Sequence, residues 1–216
     1  MESAQTNGTV AQQVASHLLA IEAIKLNTSN PFTWASGWKS PIYCDNRLSL
    51  SFPEVRTIIK NALADEIRTR YPEAEAIAGV ATAGIPQGAL VAEALELPFI
   101  YVRSKPKGHG MENMIEGKVV KGQKVVVIED LISTGGSSLK AVADLRATGI
   151  KVLGLGSIFT YGFPLAEENF TNAKCSYFTL SNYSEMLQVA LKNNYINQEQ
   201  LVLLKAWRVD PSVWGR

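Results

Sequence analysis

The strongest indication of the fold is the segment Val125-Val126-Val127-Ile128-Glu129-Asp130-Leu131-Ile132-Ser133-Thr134-Gly135-Gly136-Ser137-Ser138. An apolar run leads into two acidic residues, then into a turn rich in glycine and hydroxyl groups, and then into a helix-like pattern. Continuous runs of β-branched residues are typical of a strand that is buried on both faces, as in parallel sheets. The stretch therefore predicts a strand, a turn and a helix within an α/β fold.

Strands and helices are predicted to alternate along the rest of the chain. Apolar residues three to four positions apart indicate a helix over residues 10–25, and Pro53 suits the first turn of the next helix. We expect further helices at residues 86–95, 137–147, 184–192 and 198–207, strands at 76–80, 99–102, 124–128, 152–159 and 175–180, and a polar stretch at 104–122. This order predicts an α/β domain with a central, mostly parallel sheet and helices on both faces.

The N-terminal part of the chain differs from this alternation. Residues 30–50 are rich in proline, glycine, serine and aromatic residues, which favours short extended segments and turns. We expect a single domain over residues 1–216, in which about residues 1–50 contribute the N-terminal helix and a small hood over one end of the sheet.

Composition, charge and cysteine spacing limit the classes of protein to which this chain could belong. The 216 residues carry 21 Lys and Arg against 20 Asp and Glu, and a net charge of +1 gives no support to nucleic-acid binding. No apolar run approaches the roughly 18 residues of a membrane span, and the polar start resembles no signal peptide. The two cysteines, Cys44 and Cys175, have neither zinc-site nor disulfide spacing. We therefore expect a cytoplasmic protein that contacts neither nucleic acid nor a membrane.

The turn after the acidic pair has the chemistry of a phosphate site. Gly135 and Gly136 let bare backbone N–H groups approach an anion, and the helix that follows adds unpaired N–H groups. Glu129 and Asp130 would repel a phosphate in direct contact, so they suit nearby sugar hydroxyls or Mg²⁺. A capped helix without a ligand would show a similar turn. The spacings of ATP-binding and dinucleotide-binding loops are absent from the sequence.

A basic segment precedes this turn by one predicted strand. Arg103, Lys105, Lys107 and His109 alternate with residues such as Pro106 and the glycines at 108 and 110. Such a cluster suits a diphosphate, and a covering loop at this place would exclude water during a reaction. The other reading is a solvated basic loop.

The strand, the acidic pair and the T-G-G-S turn resemble the signature of type I phosphoribosyltransferases, which bind 5-phosphoribosyl 1-diphosphate (PRPP). The resemblance implies the type I phosphoribosyltransferase fold. It also implies that Glu129 and Asp130 contact the ribose hydroxyls. The turn that wraps the 5′-phosphate would comprise Ser133, Thr134, Gly135, Gly136 and Ser137, and the resemblance assigns PRPP contacts to Leu131 and Ile132 as well.

Three further segments resemble orotate phosphoribosyltransferases in order along the chain. Residues 32–43 are similar to the orotate-side motif, residues 78–86 to the pyrophosphate turn, and residues 101–110 to the mobile catalytic loop. The resemblance assigns PRPP contacts to Thr82, Ala83, Gly84, Arg103, Lys105, Lys107 and His109, with Arg103, Lys107 and His109 as catalytic residues.

The resemblance also implies a reaction, a cofactor and an assembly. The 5-phosphoribosyl group of PRPP would pass to orotate, giving orotidine 5′-monophosphate and pyrophosphate in the de novo synthesis of UMP. Mg²⁺ would be held mainly by PRPP, with Asp130 as the candidate protein ligand. Family members are usually homodimers with shared active sites. Ser133, Tyr43 and Lys39 would bind orotate.

Departures from the family pattern leave one contact open. Ser104 follows Arg103 where a basic residue is common, so Lys105 would share that role. Ala35 stands at a position where another branch has lysine. Residues 152–163 contain no arginine for the orotate carboxylate, which leaves backbone N–H groups, Lys39 or Arg47 as candidates. Two alternative functions are a phosphoribosyltransferase for another base and a PRPP-sensing regulatory protein.

Overall fold

The computed structural model describes residues 9–34, 37–105, 114–211 and 214. The chain divides into two compact units, a larger one of residues 56–180 and a smaller one that combines residues 1–55 with residues 181–216. That the whole chain forms one domain, with a hood over one end of the sheet, stays a prediction.

The elements follow one another in the predicted alternation. The helices are α1 (Val10–Ala20), α2 (Pro53–Arg70), α3 (Gly84–Leu95), α4 (Gly136–Ala147), α5 (Pro164–Asn172), α6 (Tyr183–Lys192) and α7 (Gln198–Val209), with a 3₁₀ helix at Asn46–Ser51. The strands are β1 (Ile24–Leu26), β2 (Phe32–Thr33), β3 (Lys39–Ser40), β4 (Ile42–Cys44), β5 (Ala76–Val80), β6 (Phe99–Val102), β7 (Ile115–Glu116), β8 (Lys124–Ile132), β9 (Lys151–Thr160) and β10 (Tyr177–Asn182).

A six-stranded sheet in the order β10-β9-β8-β5-β6-β7 is the centre of the larger unit. Strands β6, β5, β8 and β9 are parallel, and β7 runs antiparallel to β6. Every residue of β5 is buried, as are residues 125–129 of β8. Because side chains alternate between the faces of a strand, both faces of the sheet must be covered. The predicted α/β class with a mostly parallel sheet is confirmed.

Helices cover each face of this sheet. One face packs alternate strand residues, such as Ala78 and Val127, against Val142 of α4 and Phe170 of α5. Helix α3 approaches the opposite face closely at Gly88, where an added Cβ would lie 3.3 Å from the Cα of Gly79. Two glycines in contact allow this close approach of helix and strand.

In the smaller unit, the described residues form two short antiparallel strand pairs, helices α1, α6 and α7, and the 3₁₀ helix. Strand β1 pairs with β4, and β2 pairs with β3. Its core is built around Trp207 of α7, which is fully buried and packs edge-on against Trp34 at a centroid distance of 5.5 Å. The C-terminal helices α6 and α7 therefore belong to the same unit as the N-terminal segment, which the sequence analysis did not anticipate.

The predicted end of α1 is wrong, and two elements, β7 and α5, were not predicted. Strand β8 also extends to Ile132, beyond its predicted end at residue 128, so the acidic pair lies within the strand. Helix α1 ends at Ala20, because Glu22 adopts a positive φ of 57° and Ile24 pairs with Cys44 in a sheet. The polar stretch after residue 104 contains β7, which pairs with β6. Helix α5 was not predicted, although Pro164 at its first turn is a recognised helix-start signal. Tertiary pairing decided the first two cases.

No helix within the described parts of the chain combines the length and the apolar character that crossing a membrane requires.

Candidate active site

Three neighbouring parallel strands end at the same edge of the sheet. The register pairs Val80 of β5 with Val102 of β6, and Gly79 of β5 with Ile128 of β8. The segments that follow these strand ends contain most of the predicted site residues of the larger unit. Ligands of open α/β sheets bind at this edge, so the topology alone assembles a candidate site there.

The phosphate turn leads from β8 into α4. Gly135 has φ +81° and forms the N-cap of α4, so the cap residue itself supplies no side-chain acceptor to the first N–H groups of the helix. Gly136 and Ser137 are exposed, and Ser133 and Thr134 are half-buried. A helix N-terminus with uncapped N–H groups is a suitable place for a phosphate.

The two acids before the turn differ in their surroundings. Glu129 is 5% exposed, and its Oε1 accepts a hydrogen bond of 3.0 Å from the Asp130 N–H. Its Oε2 accepts one of 3.1 Å from the hydroxyl of Ser138, which is 1% exposed. Asp130 is half-buried. The Glu129 carboxyl thus joins the acidic pair to the first turn of α4.

The protonation of Glu129 is strongly perturbed. Burial, together with the nearby charge of Asp130, raises the pKa of the Glu129 carboxyl to about 8. Desolvation and a neighbouring like charge both disfavour the ionised form of a carboxyl group. A carboxyl of this kind next to a second acid marks a candidate functional site.

The predicted pyrophosphate turn lies beside this acidic pair. The peptide bond between Ala81 and Thr82 is cis, and the Ala81 N–H donates to the Val102 carbonyl at 2.9 Å. Thr82 is exposed and Ala83 half-buried. An added Cβ on Gly84 would collide with the carbonyl oxygen of Ile128, so only glycine fits at this position. The turn before α3 therefore packs directly on β8 at Ile128, next to the acidic pair.

Helix α5 and strand β9 hold the phosphate turn from the other side. Asn169 Nδ2 donates to the Thr134 carbonyl at 2.9 Å, and Thr160 Oγ1 donates to the Ile132 carbonyl at 3.1 Å. Phe170 is buried under Gly135, where an added Cβ would lie 2.7 Å from its ring. Leu131 is half-buried and Ile132 is fully buried, so Ile132 anchors the turn in the core.

Arg103 stands at the end of β6, and a pair of strands supports it. Its N–H donates to the Met114 carbonyl at 2.7 Å, and its guanidinium contacts Glu116 at 3.1 Å. The Nε of Arg103 also donates to the carbonyl of Lys105, an exposed residue. Lys107 and His109 lie outside the described residues.

The residues assigned to orotate are found in both units. Tyr43 is exposed, and its ring lies 5.7 Å from that of Phe32. Lys39 Nζ donates to Thr33 Oγ1 at 2.8 Å. Tyr43 and Lys39 belong to the smaller unit, whereas Ser133 belongs to the larger unit. Their assignment to orotate stays a prediction.

Arg47, the other candidate for the orotate carboxylate, is engaged locally. Its Nε and Nη2 donate to the two carboxylate oxygens of Asp45 at 2.6 and 2.8 Å. These hydrogen bonds lower the pKa of the Asp45 carboxyl. An orotate carboxylate would have to compete with Asp45 for this guanidinium.

Sequence reasoning missed three supporting residues of the larger unit. Ser138 directly follows the predicted turn, but no local sequence pattern predicts its hydrogen bond with Glu129. Glu116 and Asn169 lie in β7 and α5, which were not predicted as elements. Recognising Pro164 as a helix start would have placed Asn169 on a helix, but not beside the phosphate turn.

Residues 50–191 match the phosphoribosyl transferase domain family. The orotate phosphoribosyltransferase of Cytophaga hutchinsonii is 61% identical over 205 residues, which cover 95% of this chain and 98% of the relative. The orotate phosphoribosyltransferase of Bacteroides thetaiotaomicron is 58% identical over 93% of this chain and 94% of its own length.

The fold has a counterpart among solved structures. The crystal structure of orotate phosphoribosyltransferase from Aeropyrum pernix superposes with a TM-score of 0.73 at 28% identity, over 85% of this chain and 99% of that chain. The strand-end geometry, the domain match and the identity to whole-length relatives agree. The chain belongs to the orotate phosphoribosyltransferases, within the phosphoribosyl transferase domain family.

Proposed function

We propose that this chain transfers the 5-phosphoribosyl group of PRPP to orotate, releasing pyrophosphate and forming orotidine 5′-monophosphate for the de novo synthesis of UMP. One observation carries the proposal. The parallel ends of β6, β5 and β8 place Arg103, the turn at residues 81–84 and the phosphate turn at one edge of the sheet. Each segment has the chemistry that one part of PRPP requires.

The phosphate turn binds the 5′-phosphate. Its backbone N–H groups and the uncapped start of α4 supply hydrogen-bond donors, and hydroxyls of Ser133, Thr134 and Ser137 add further donors. Charge-assisted hydrogen bonds of this kind are stronger than neutral ones. The 5′-phosphate therefore anchors the substrate far from the bond that breaks.

The acidic pair binds the ribose. Asp130, at the margin of the buried strand, accepts hydrogen bonds from the ribose hydroxyls. Glu129 is assigned to the ribose as well. Its carboxyl accepts hydrogen bonds from the Asp130 N–H and the Ser138 hydroxyl, which hold the acidic pair against the start of α4. A substrate hydroxyl or a cation near the pair favours ionisation of Glu129, because a new donor stabilises the carboxylate.

The diphosphate is the leaving group. The C1′–O bond breaks and its electron pair leaves with pyrophosphate, while orotate N1 gives up its proton to the departing pyrophosphate or to water and forms the new bond to C1′. Such a transition state has oxocarbenium character, as in glycoside cleavage, and no protein nucleophile is required. Backbone groups of Thr82, Ala83 and Gly84 hold the diphosphate. Arg103, Lys105, Lys107 and His109 stabilise the charge that builds on it.

Mg²⁺ is the proposed cofactor. Within the described residues, no group of three or more His, Cys, Asp or Glu side chains could hold a metal ion. Mg²⁺ is commonly bound through one or two carboxylates together with substrate phosphates, and Asp130 fits that limited role. When bound, the ion would act as a Lewis acid on the diphosphate oxygens.

Assembly and location belong to the same proposal. A homodimer in which one subunit's basic loop serves the other subunit's site is supported by the family resemblance, as is a cytoplasmic location. Mixing a Lys107→Ala variant with an Asp130→Asn variant tests the shared site. Partial recovery of activity supports sharing, and purely additive residual activities count against it.

The direct test is orotate consumption in the presence of PRPP and Mg²⁺, with pyrophosphate release measured in parallel. We expect both to proceed together and to stop when a chelator removes Mg²⁺. A panel of uracil and purine bases separates orotate from other acceptors. Turnover of another base but not of orotate would reject the acceptor, and PRPP binding without turnover of any base would favour a sensor.

A further inference from the structure

Two consecutive residues of α5 contact the phosphate turn. Asn169 Nδ2 donates a hydrogen bond of 2.9 Å to the Thr134 carbonyl, across 35 positions of the sequence. Phe170 is buried directly beneath Gly135. Neither α5 residue belongs to the turn, and the proposed reaction gives neither of them a contact with substrate.

The hydrogen bond from Asn169 sets the orientation of the peptide between Thr134 and Gly135. The carbonyl and the N–H of a trans peptide point in opposite directions. Because the Thr134 carbonyl is directed toward α5, the Gly135 N–H is directed away from α5. That N–H precedes the exposed residues Gly136 and Ser137, where the turn meets the ligand.

The sequence of the turn does not enforce this orientation. Gly135 has φ +81°, and glycine adopts positive and negative φ about equally readily. A rotated peptide would direct the Thr134 carbonyl oxygen outward and the Gly135 N–H inward. A carbonyl oxygen facing a phosphate is repulsive, so the two orientations differ in their affinity for the ligand.

We propose that Asn169 is a positioning residue for the 5′-phosphate. It holds the Thr134 carbonyl so that the Gly135 N–H donates to the phosphate oxygens. The inference rests on the proposed function of the turn as a phosphate site, and it adds a residue of α5 to the recognition of the phosphomonoester group.

The test separates the two anionic parts of the substrate. Ribose 5-phosphate and pyrophosphate are titrated separately by calorimetry into the unaltered chain and into Asn169→Ala and Asn169→Leu variants. The leucine keeps the side-chain volume and removes the donor. We expect ribose 5-phosphate to bind roughly fivefold more weakly or worse, the worth of one hydrogen bond. Pyrophosphate affinity should not change.

Asn172→Ala is the matched control, because Asn172 is an exposed residue of the same helix. It should bind both anions as the unaltered chain does. In ¹⁵N spectra, the Gly135 amide should shift on addition of ribose 5-phosphate in the unaltered chain and shift less in both Asn169 variants. This signal reports the N–H itself and is not moved by a general loss of stability.

Three results are decisive. Unaltered affinity of both Asn169 variants for ribose 5-phosphate overturns the inference. Equal weakening toward ribose 5-phosphate and pyrophosphate also overturns it, because general damage to the site would affect both anions. Absence of ribose 5-phosphate binding to the unaltered chain would instead overturn the proposed function of the turn, and the inference with it.

Discussion

The guanidinium of Arg103 lies 3.1 Å from the carboxylate of Glu116, and this ion pair joins the two strands on either side of residues 106–113. The side chains are 33% and 24% exposed, so water screens the pair only partly. Arg103 is therefore held by a carboxylate of its own chain at the place where the proposed reaction requires it to contact a diphosphate.

Replacement of Glu116 by glutamine should tighten PRPP binding by up to about fivefold. In this variant, Arg103 would not have to break an ion pair in order to contact PRPP. A partly exposed ion pair contributes at most about 1 kcal/mol of free energy. The Kd of PRPP measured by calorimetry checks this. Glu66→Gln is the control, because Glu66 forms a similar exposed pair with Arg70 on α2. Weaker PRPP binding would show instead that Glu116 positions Arg103.

Lys107→Ala should lower kcat roughly 100-fold while the Kd of PRPP rises much less. A cation that stabilises charge on a leaving group acts mainly in the transition state, and loss of one such donor typically costs this much. Steady-state kinetics with orotate and equilibrium PRPP binding provide the two quantities. Lys118→Ala, at an exposed lysine beyond the basic segment, is the control. An unchanged kcat would remove the catalytic role assigned to Lys107.

Asp130→Asn should weaken PRPP binding roughly 10- to 100-fold, because hydrogen bonds between a carboxylate and hydroxyl groups are charge-assisted. Ribose 5-phosphate should be affected similarly, whereas inorganic pyrophosphate should not. The matched variant is Asp144→Asn, which removes a carboxylate from α4 that pairs with Lys140. A PRPP dissociation constant equal to that of the unaltered chain would contradict the ribose role.

The two glycines of the turn should respond differently to alanine. Gly135→Ala should lower the free energy of unfolding by about 1–3 kcal/mol, because a Cβ meets Phe170 and φ is positive. Gly136→Ala meets open space and should leave stability unchanged or raise it by up to about 1 kcal/mol. Denaturant unfolding measures both.

Binding of ribose 5-phosphate tests the Gly136→Ala variant in a second way. The methyl group of Gly136→Ala lies on the exposed side of the turn, so it should weaken ribose 5-phosphate binding without loss of stability. Normal ribose 5-phosphate affinity in a stable Gly136→Ala variant would argue that the phosphate does not approach this residue.

Stability should fall as pH rises from about 4.5 to about 8, because Glu129 keeps its proton in the folded chain over this window. The folded state then binds more protons than the unfolded state, which gives a slope of at most about 1.4 kcal/mol per pH unit. Denaturant unfolding of the unaltered chain and of Glu129→Gln across this window measures the difference. Equal slopes would show that folding does not raise the pKa of the Glu129 carboxyl.

Sequence patterns sufficed for the parts of the site that are continuous in the chain. The apolar run at Val125, the acidic pair and the glycine turn each carry a local chemical signal, because burial on both faces, anion approach and positive φ restrict the residue types. The α/β class with a mostly parallel sheet followed from these signals together with the alternation of elements, whereas the order of the strands within the sheet was not predicted.

Contacts between distant segments were decided only by the tertiary structure. Asn169 meets Thr134 because α5 packs on the sheet face next to α4, and Glu116 meets Arg103 because β7 pairs with β6. Ile24 lies in β1 and not in the predicted helix for the same reason, because pairing with β4 outweighed the local preference for a helix. Local sequence patterns therefore predict which groups bind the substrate, whereas the groups that hold those residues in place are seen only in the folded chain. The spacing of apolar residues shows that one face of a segment is buried, but it does not show which other segment covers that face.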